Sequence, residues 1–275
     1  MHGESGMPPA TLGAVIFDWA GTVVDFGSHA PMGAFVRLFG RHGVQISIGE
    51  ARAPMGLPKW DHIRALGRQP RIAAAWRAHH GHAFDDHAAD RLHAEFTPMN
   101  VASVVDHAAL IPGARETMAR LRERGLRIGS TTGYTRPIME VLAPLAAAQG
   151  FAPDNLVCAG DLPASRPSPM GVYRTLIDLD IWPAWRAVKV DDTVPGLMEG
   201  RHAGCWTVAV AATGNAMGLT LDEWATLDAT EQARRLLHAR RQLEAARPDA
   251  IIDSVADLPP VLDAIEALLR QGRRP

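Results

Sequence analysis

The stretch Phe17-Asp18-Trp19-Ala20-Gly21-Thr22, directly after the apolar run 12–17, decides the fold. An apolar run of this length reads as a buried strand, and Gly21 then turns the chain. Asp18 therefore stands at the carboxyl end of a strand, where open α/β sheets place their chemistry in the crevice beyond the strand ends. A carboxylate there can act as a nucleophile or hold a cation.

Outward from this point, short apolar runs alternate with amphipathic stretches, the pattern of parallel strands joined by crossover helices. Strands are expected at 12–18, 126–130, 156–159, 187–190, 205–210 and 250–252, and helices at 112–121, 137–148, 170–179 and 230–246. Residues 27–105 differ in character, with helical patterns at 31–40, 59–66, 71–80 and 86–99 and no convincing strand. The expected architecture is an α/β, Rossmann-like parallel-sheet core of residues 1–26 and 106–275. An all-helical cap domain, 27–105, is inserted after the first strand and placed to cover the strand ends. Residues 1–10 read as a disordered tail. Phe35, Leu38 and Phe39 share one helix face and carry more apolar surface than a small lid can bury, which predicts a homodimer joined through the caps.

The 275-residue chain is 47% hydrophobic and 21% charged, an ordinary globular composition. A net charge of −2 leaves no basic footprint for nucleic acid or an anionic membrane surface. No apolar run approaches the roughly 20 residues that a spanning helix needs, and residues 1–10 lack the pattern of a signal peptide. The expectation is a soluble, cytoplasmic protein whose two cysteines, Cys158 and Cys205, are buried free thiols.

Four expected strand ends each offer a different tool. Asp18 brings a carboxylate, and Thr132 brings a hydroxyl with the backbone amide of Gly133 beside it, suited to phosphate oxygens. Arg166, between Pro163 and Pro167, presents a cation to an anion. Asp191 and Asp192 add carboxylates that complete a Mg²⁺ site with Asp18. Each alone is weak, since an acid at a strand end is often a helix cap. A hydroxyl and a cation between two sets of acids, in that order, points to phosphoryl chemistry.

The cap holds a second informative stretch, Pro54-Met55-Gly56-Leu57-Pro58-Lys59-Trp60-Asp61-His62. Met55, Leu57 and Trp60 hem in Lys59, and desolvation lowers an ammonium pKa enough to make the amine a nucleophile for a carbonyl. His62 lies one helical turn on, placed to shuttle the protons that imine formation requires.

The segments DWAGT, PMGLPKWDH and GSTTGYTR together resemble the phosphonatase family of the haloacid dehalogenase superfamily, over essentially all of 14–210. The resemblance implies a hydrolase that cleaves a carbon–phosphorus bond through a cap-lysine Schiff base, Lys59, and an aspartyl-phosphate on Asp18. It further implies Mg²⁺ held by Asp18, the Ala20 carbonyl and Asp192, with Asp191 as the other acid in question. Thr132, Gly133 and Arg166 would hold the phosphoryl oxygens, and Met55 and Tyr134 would border the substrate. Phosphatases of the superfamily carry a second acid at position 20 to protonate a leaving oxygen; Ala20 replaces it. Gly196 stands where the second acid of the last motif is usual, and Ser28 where some relatives have cysteine. A phosphatase or phosphomutase acting on a small phosphate ester, and an inactive phospho-ligand-binding homologue, stay open as alternatives. The stretch 79–87, with four histidines, has no fixed ligand spacing and reads as a solvated helix end, and Trp182 and Trp185 read as loop packing.

Overall fold

All four residues of β1 (Ala14–Phe17) are buried, and their side chains alternate between two cores. The computed structural model describes residues 10–275, so the tail expected at the amino terminus lies outside the described residues except for Ala10. Five helices follow β1: α1 (Ala30–Arg41), α2 (Ile48–Arg52), α3 (Lys59–Arg68), α4 (Pro70–His80) and α5 (Asp86–Asp106). Then come α6 (Ala114–Glu123), β2 (Arg127–Thr135), α7 (Arg136–Ala148), β3 (Val157–Ala159) and α8 (Met170–Asp178). The chain continues through β4 (Ala187–Asp191), α9 (Val194–Ala203), β5 (Trp206–Val210), α10 (Leu221–Thr226) and α11 (Ala229–Leu243). It closes with β6 (Ala250–Ile252) and α12 (Leu258–Arg270).

The strands form one parallel sheet in the order β3-β2-β1-β4-β5-β6. Ala14 faces Arg127 on β2 and Ala187 on β4, so the strand that ends in Asp18 is central. The order reverses beside β1, and ligands bind at such switch points. Val15 and Phe17 pack with Met118, Ile138, Leu142 and Leu262 on one face. Ala14 and Ile16 meet Val172 and Leu176 on the other, where Leu197, Ala209 and Leu243 extend the cover. Both faces are covered, as a parallel sheet requires.

The helices α1–α5 close around a core of their own, built from Phe35, Leu38, Phe39, Ile63, Leu66, Trp76, Leu92 and Phe96. This corrects one expectation. Phe35, Leu38 and Phe39 are fully buried within the protomer, so the apolar face of α1 supplies no surface for a second copy. The histidine stretch also differs from a merely solvated end. His80 stacks on Trp76 with ring centroids 4.0 Å apart and faces the His42 carbonyl, 2.9 Å from its Nε2. Among the described residues the histidines form no metal-binding group. Trp185 packs against the core as expected, whereas Trp182 is 71% exposed. Both cysteines are free and buried. Among the described residues no helix is long and apolar enough to cross a membrane.

Two elements depart from their expected limits, and a third, α9, was not expected at all, each for local reasons. β2 runs on through Thr131, Thr132 and Gly133 to Thr135, with its register against β3 shifting between Thr131 and Thr135. Such a bulge bends the strand and re-aims its side chains. α5 continues past 99 and through Pro98, because Phe96, Asn100 and Val104 anchor both sides of the break. α9 contains Pro195, Gly196 and Gly200 yet is helical; Pro195 sits in the first turn, and the Thr193 side chain accepts from the Gly196 N–H at 3.3 Å.

Candidate active site

The turn after β1 is shaped around carboxylates. The Asp18 N–H donates to the Val190 carbonyl at 3.0 Å, tying the ends of β1 and β4 together. Gly21 has φ +83°, and a Cβ on it would overlap the Asp192 carboxylate. Asp192 also accepts from the Asn215 N–H at 2.7 Å and the Thr22 hydroxyl at 3.3 Å. Oxygens of Asp18, Asp191 and Asp192 lie within 4.8 Å of one another, all three residues buried.

The cap reaches this turn through the segment before α3. Gly56, at φ +91°, lies so close to the core that a Cβ would come 2.6 Å from the Thr193 hydroxyl. Arg52, at the end of α2, donates to the carbonyls of Gly27 (2.6 Å) and Gly218 (3.2 Å) and to the Asn215 side chain (3.1 Å). A cavity of about 30 Å³ lies between the two parts. Asp18, Ala20, Thr132, Gly133 and Arg166 line it from the sheet side, with Tyr134 beside them. Met55 and Lys59 line it from the cap. Ser28, buried at φ +55°, is also on its wall.

Lys59 is 4% exposed, with its Nζ 5.1 Å from the Tyr134 ring and 5.9 Å from the Phe35 ring. Burial pushes its ammonium down to about 8, against the upward pull of Asp18. His62 does not reach the cavity wall; it lies behind Lys59, stacked on Phe35 at 4.0 Å. Its Nε2 lies 2.8 Å from the Ala51 carbonyl, which can only accept, so Nε2 carries the proton. Nδ1 is then the basic atom, buried and, among the described residues, without a hydrogen-bond partner. Burial, and then the charge of Lys59, hold the imidazole well below its usual range.

Beneath the cavity runs a buried charge network that sequence reading found only in part. Arg166 places Nη2 2.8 Å from Asp18 and Nη1 3.3 Å from Asp191, while Nε donates to Glu199 at 3.2 Å. Lys189 has its Nζ 3.0 Å from Asp191 and donates to the Thr131 hydroxyl at 2.9 Å. Lys189, Glu199 and Thr131 lie outside the residues that the sequence motifs point to. A lysine inside the apolar strand Ala187-Val188-Lys189-Val190 was the available signal, since a buried ammonium needs partners.

The electrostatics set the three carboxylates apart. Burial raises the Asp191 carboxyl, but Arg166 and Lys189 outweigh it and leave it below the usual range. Asp18 is raised by burial and then by Asp191, despite Arg166. Asp192 is raised well above the usual range by burial, then by Asp18 and Asp191. Among the described residues it makes no ion pair. A buried carboxylate pair, Asp18 and Asp192, with Asp192 in no direct ion pair among the described residues, is a donor set that fits a hard divalent cation.

A parallel sheet of this order, with acids ending β1 and β4, a threonine on β2 and a buried arginine between, defines the class. The model of the haloacid dehalogenase-like hydrolases matches residues 12–204, and the chain belongs to that family. Its relatives narrow the comparison. The phosphonoacetaldehyde hydrolase of Paraburkholderia xenovorans is 52% identical over 262 residues, which cover 95% of this chain and 98% of that one. That of Pseudomonas fluorescens is 45% identical over 267 residues, 97% of each chain. The crystal structure of a phosphonoacetaldehyde hydrolase-like protein from Oleispira antarctica superposes with a TM-score of 0.95 at 38% identity, covering 96% of both chains.

Proposed function

We propose that the chain hydrolyses phosphonoacetaldehyde to acetaldehyde and phosphate, with Lys59 as the Schiff-base lysine and Asp18 as the phosphoryl acceptor. The observation that carries this reading is Lys59 itself. It is a buried amine, pushed down to about 8, on the wall of the cavity that Asp18 lines, with Ala20 where an acid would serve an ester. Residues 27–105 act as a cap that carries this amine to a core that carries the acceptor.

In this reading the neutral amine of Lys59 adds to the aldehyde carbon. The carbonyl oxygen takes up protons and leaves as water, giving an iminium; His62, behind Lys59 and off the cavity wall, is placed to exchange a proton with that amine and not with the substrate oxygen. An Asp18 oxygen then attacks phosphorus while the carbon–phosphorus bond breaks, and its electron pair passes into the iminium to give an enamine. No oxygen departs with those electrons, so no acid is needed at position 20. The enamine takes a proton on carbon, water frees acetaldehyde from Lys59, and a second water hydrolyses the aspartyl-phosphate.

Thr132, the Gly133 amide and Arg166 hold the phosphoryl oxygens, and Met55 and Tyr134 enclose the carbon end. Asp18, the Ala20 carbonyl and Asp192 would hold Mg²⁺, which when bound neutralises carboxylates that otherwise repel the phosphoryl group. Asp192 is favoured over Asp191 because the Asp191 oxygens already face Thr193, Lys189 and Arg166. A homodimer through the caps belongs to the same reading and rests on the family resemblance alone. The test is phosphate release with phosphonoacetaldehyde against p-nitrophenyl phosphate. Release from the phosphonate alone supports the proposal, and release from the ester alone overturns it.

A further inference from the structure

Two residues near the phosphoryl site, Asp191 and Gly196, lie five positions apart in the sequence. The structure ties them to each other. Asp191 ends β4 and Gly196 lies in the first turn of α9, and the Asp191 carboxylate rests directly against the Gly196 backbone. A Cβ built on Gly196 would overlap Cγ, Oδ1 and Oδ2 of Asp191 at once. The carboxylate of one residue fills the space from which the other's side chain would grow.

Both oxygens of that carboxylate face partners, Oδ1 through hydrogen bonds and Oδ2 through ion pairs. Oδ1 accepts from the Thr193 N–H at 3.0 Å and from the Thr193 hydroxyl at 2.7 Å. Oδ2 faces Lys189 at 3.0 Å and Arg166 at 3.3 Å. These two contacts are ion pairs by distance, although neither meets the angular criteria of a hydrogen bond. Arg166 thus divides its guanidinium between Asp191 on Nη1 and the nucleophile Asp18 on Nη2.

We infer that Asp191 is a positioning residue for phosphoryl transfer: its carboxylate, lodged in the space left by Gly196, braces Arg166 and Lys189 beside Asp18. Without it the guanidinium keeps Asp18 and Glu199 as partners and turns further onto the nucleophile it must release. Acid and glycine are one unit, the acid on the strand requiring no side chain on the helix. The inference rests on the proposed reaction, since bracing Arg166 matters only if that arginine holds the phosphoryl group.

Asp191→Asn keeps the shape and removes the charge. With phosphonoacetaldehyde it is expected to lower kcat about thirtyfold with KM within about threefold, and to weaken calorimetric binding of inorganic phosphate in Mg²⁺ about tenfold. Wild-type kcat and phosphate affinity in this variant overturn the inference, as does a fall in melting temperature with kcat intact, which would mark a structural role only. The exchange of positions supplies the second arm. Gly196→Asp alone is expected to be inactive, and Asp191→Gly with Gly196→Asp to recover kcat to within about fivefold of wild type. A folded double variant no better than the poorer single variant overturns the pairing, and this arm decides if the asparagine variant does not fold. Wild-type enzyme inert towards phosphonoacetaldehyde would sink the proposed function instead, a separate outcome.

Discussion

At the scale of single residues, the chemistry turns on the protonation of one amine. With a pKa of about 8, roughly one Lys59 in ten is neutral at pH 7, against about one in 3,000 for an unperturbed lysine. The neutral form is the nucleophile, so kcat/KM for phosphonoacetaldehyde is expected to rise with pH and level off above about 8. A profile flat from pH 6 to 9 would contradict a titrating Lys59. Borohydride added with substrate is expected to inactivate the enzyme and leave an adduct on the Lys59 peptide, detectable by mass spectrometry. Lys59→Arg keeps a charge but not the amine and should lose more than the roughly 10²–10⁴-fold of acid–base effects. Asp18, Lys59 and Arg166 were legible because turn residues flank them and mark where an element stops or starts, and Thr132 because it resembles a loop residue, although it lies inside β2. Glu199 was not, since its neighbours Pro195, Gly196 and Gly200 hide the helix that carries it.

At the scale of elements, the cap is held by its own core and by a clamp. Leu38→Ala removes a fully buried side chain from the core of α1–α5 and is expected to cost about 2–5 kcal/mol, read by denaturant titration. Arg52 is the clamp, joining the end of α2 to Gly27 and to the segment after β5. Hydrogen bonds from charged donors contribute about 1.5–3 kcal/mol each, so Arg52→Ala should lower kcat/KM about tenfold or more and speed amide exchange at residues 27–29. An unchanged exchange pattern would remove Arg52 from this role. The succession of strands along the chain, and the cap helices other than α2, could be read from hydrophobic period. The length of β2 could not, because Thr131, Thr132 and Gly133 resemble a loop in isolation and become strand only when paired across a bulge. The bulk of Phe35 and Phe39 was legible too, but not the direction it faced, which depended on α3, α4 and α5 closing around it.

At the scale of the whole molecule, activity is expected to vanish in chelator and return with Mg²⁺, since Asp18 and Asp192 otherwise face a phosphonate with like charge. Full activity in chelator would refute this. Light scattering at micromolar concentration should give twice the protomer mass, and a monomer would remove the dimer from the reading. The pairing of Ala14 with Arg127 and with Ala187 has a consequence for how such a chain is made. The strand bearing the acceptor waits about 110 residues for its first neighbour and about 170 for its second, which at typical synthesis rates is on the order of 10–30 s on the ribosome. During that interval the whole of 27–105 has emerged and its partners are all local. Nascent chains stalled near residue 150, with α5 clear of the exit tunnel and β2 still inside it, should therefore protect α1–α5 from protease while β1 is still cut, and longer stalls near 240, with β4 emerged, should protect both.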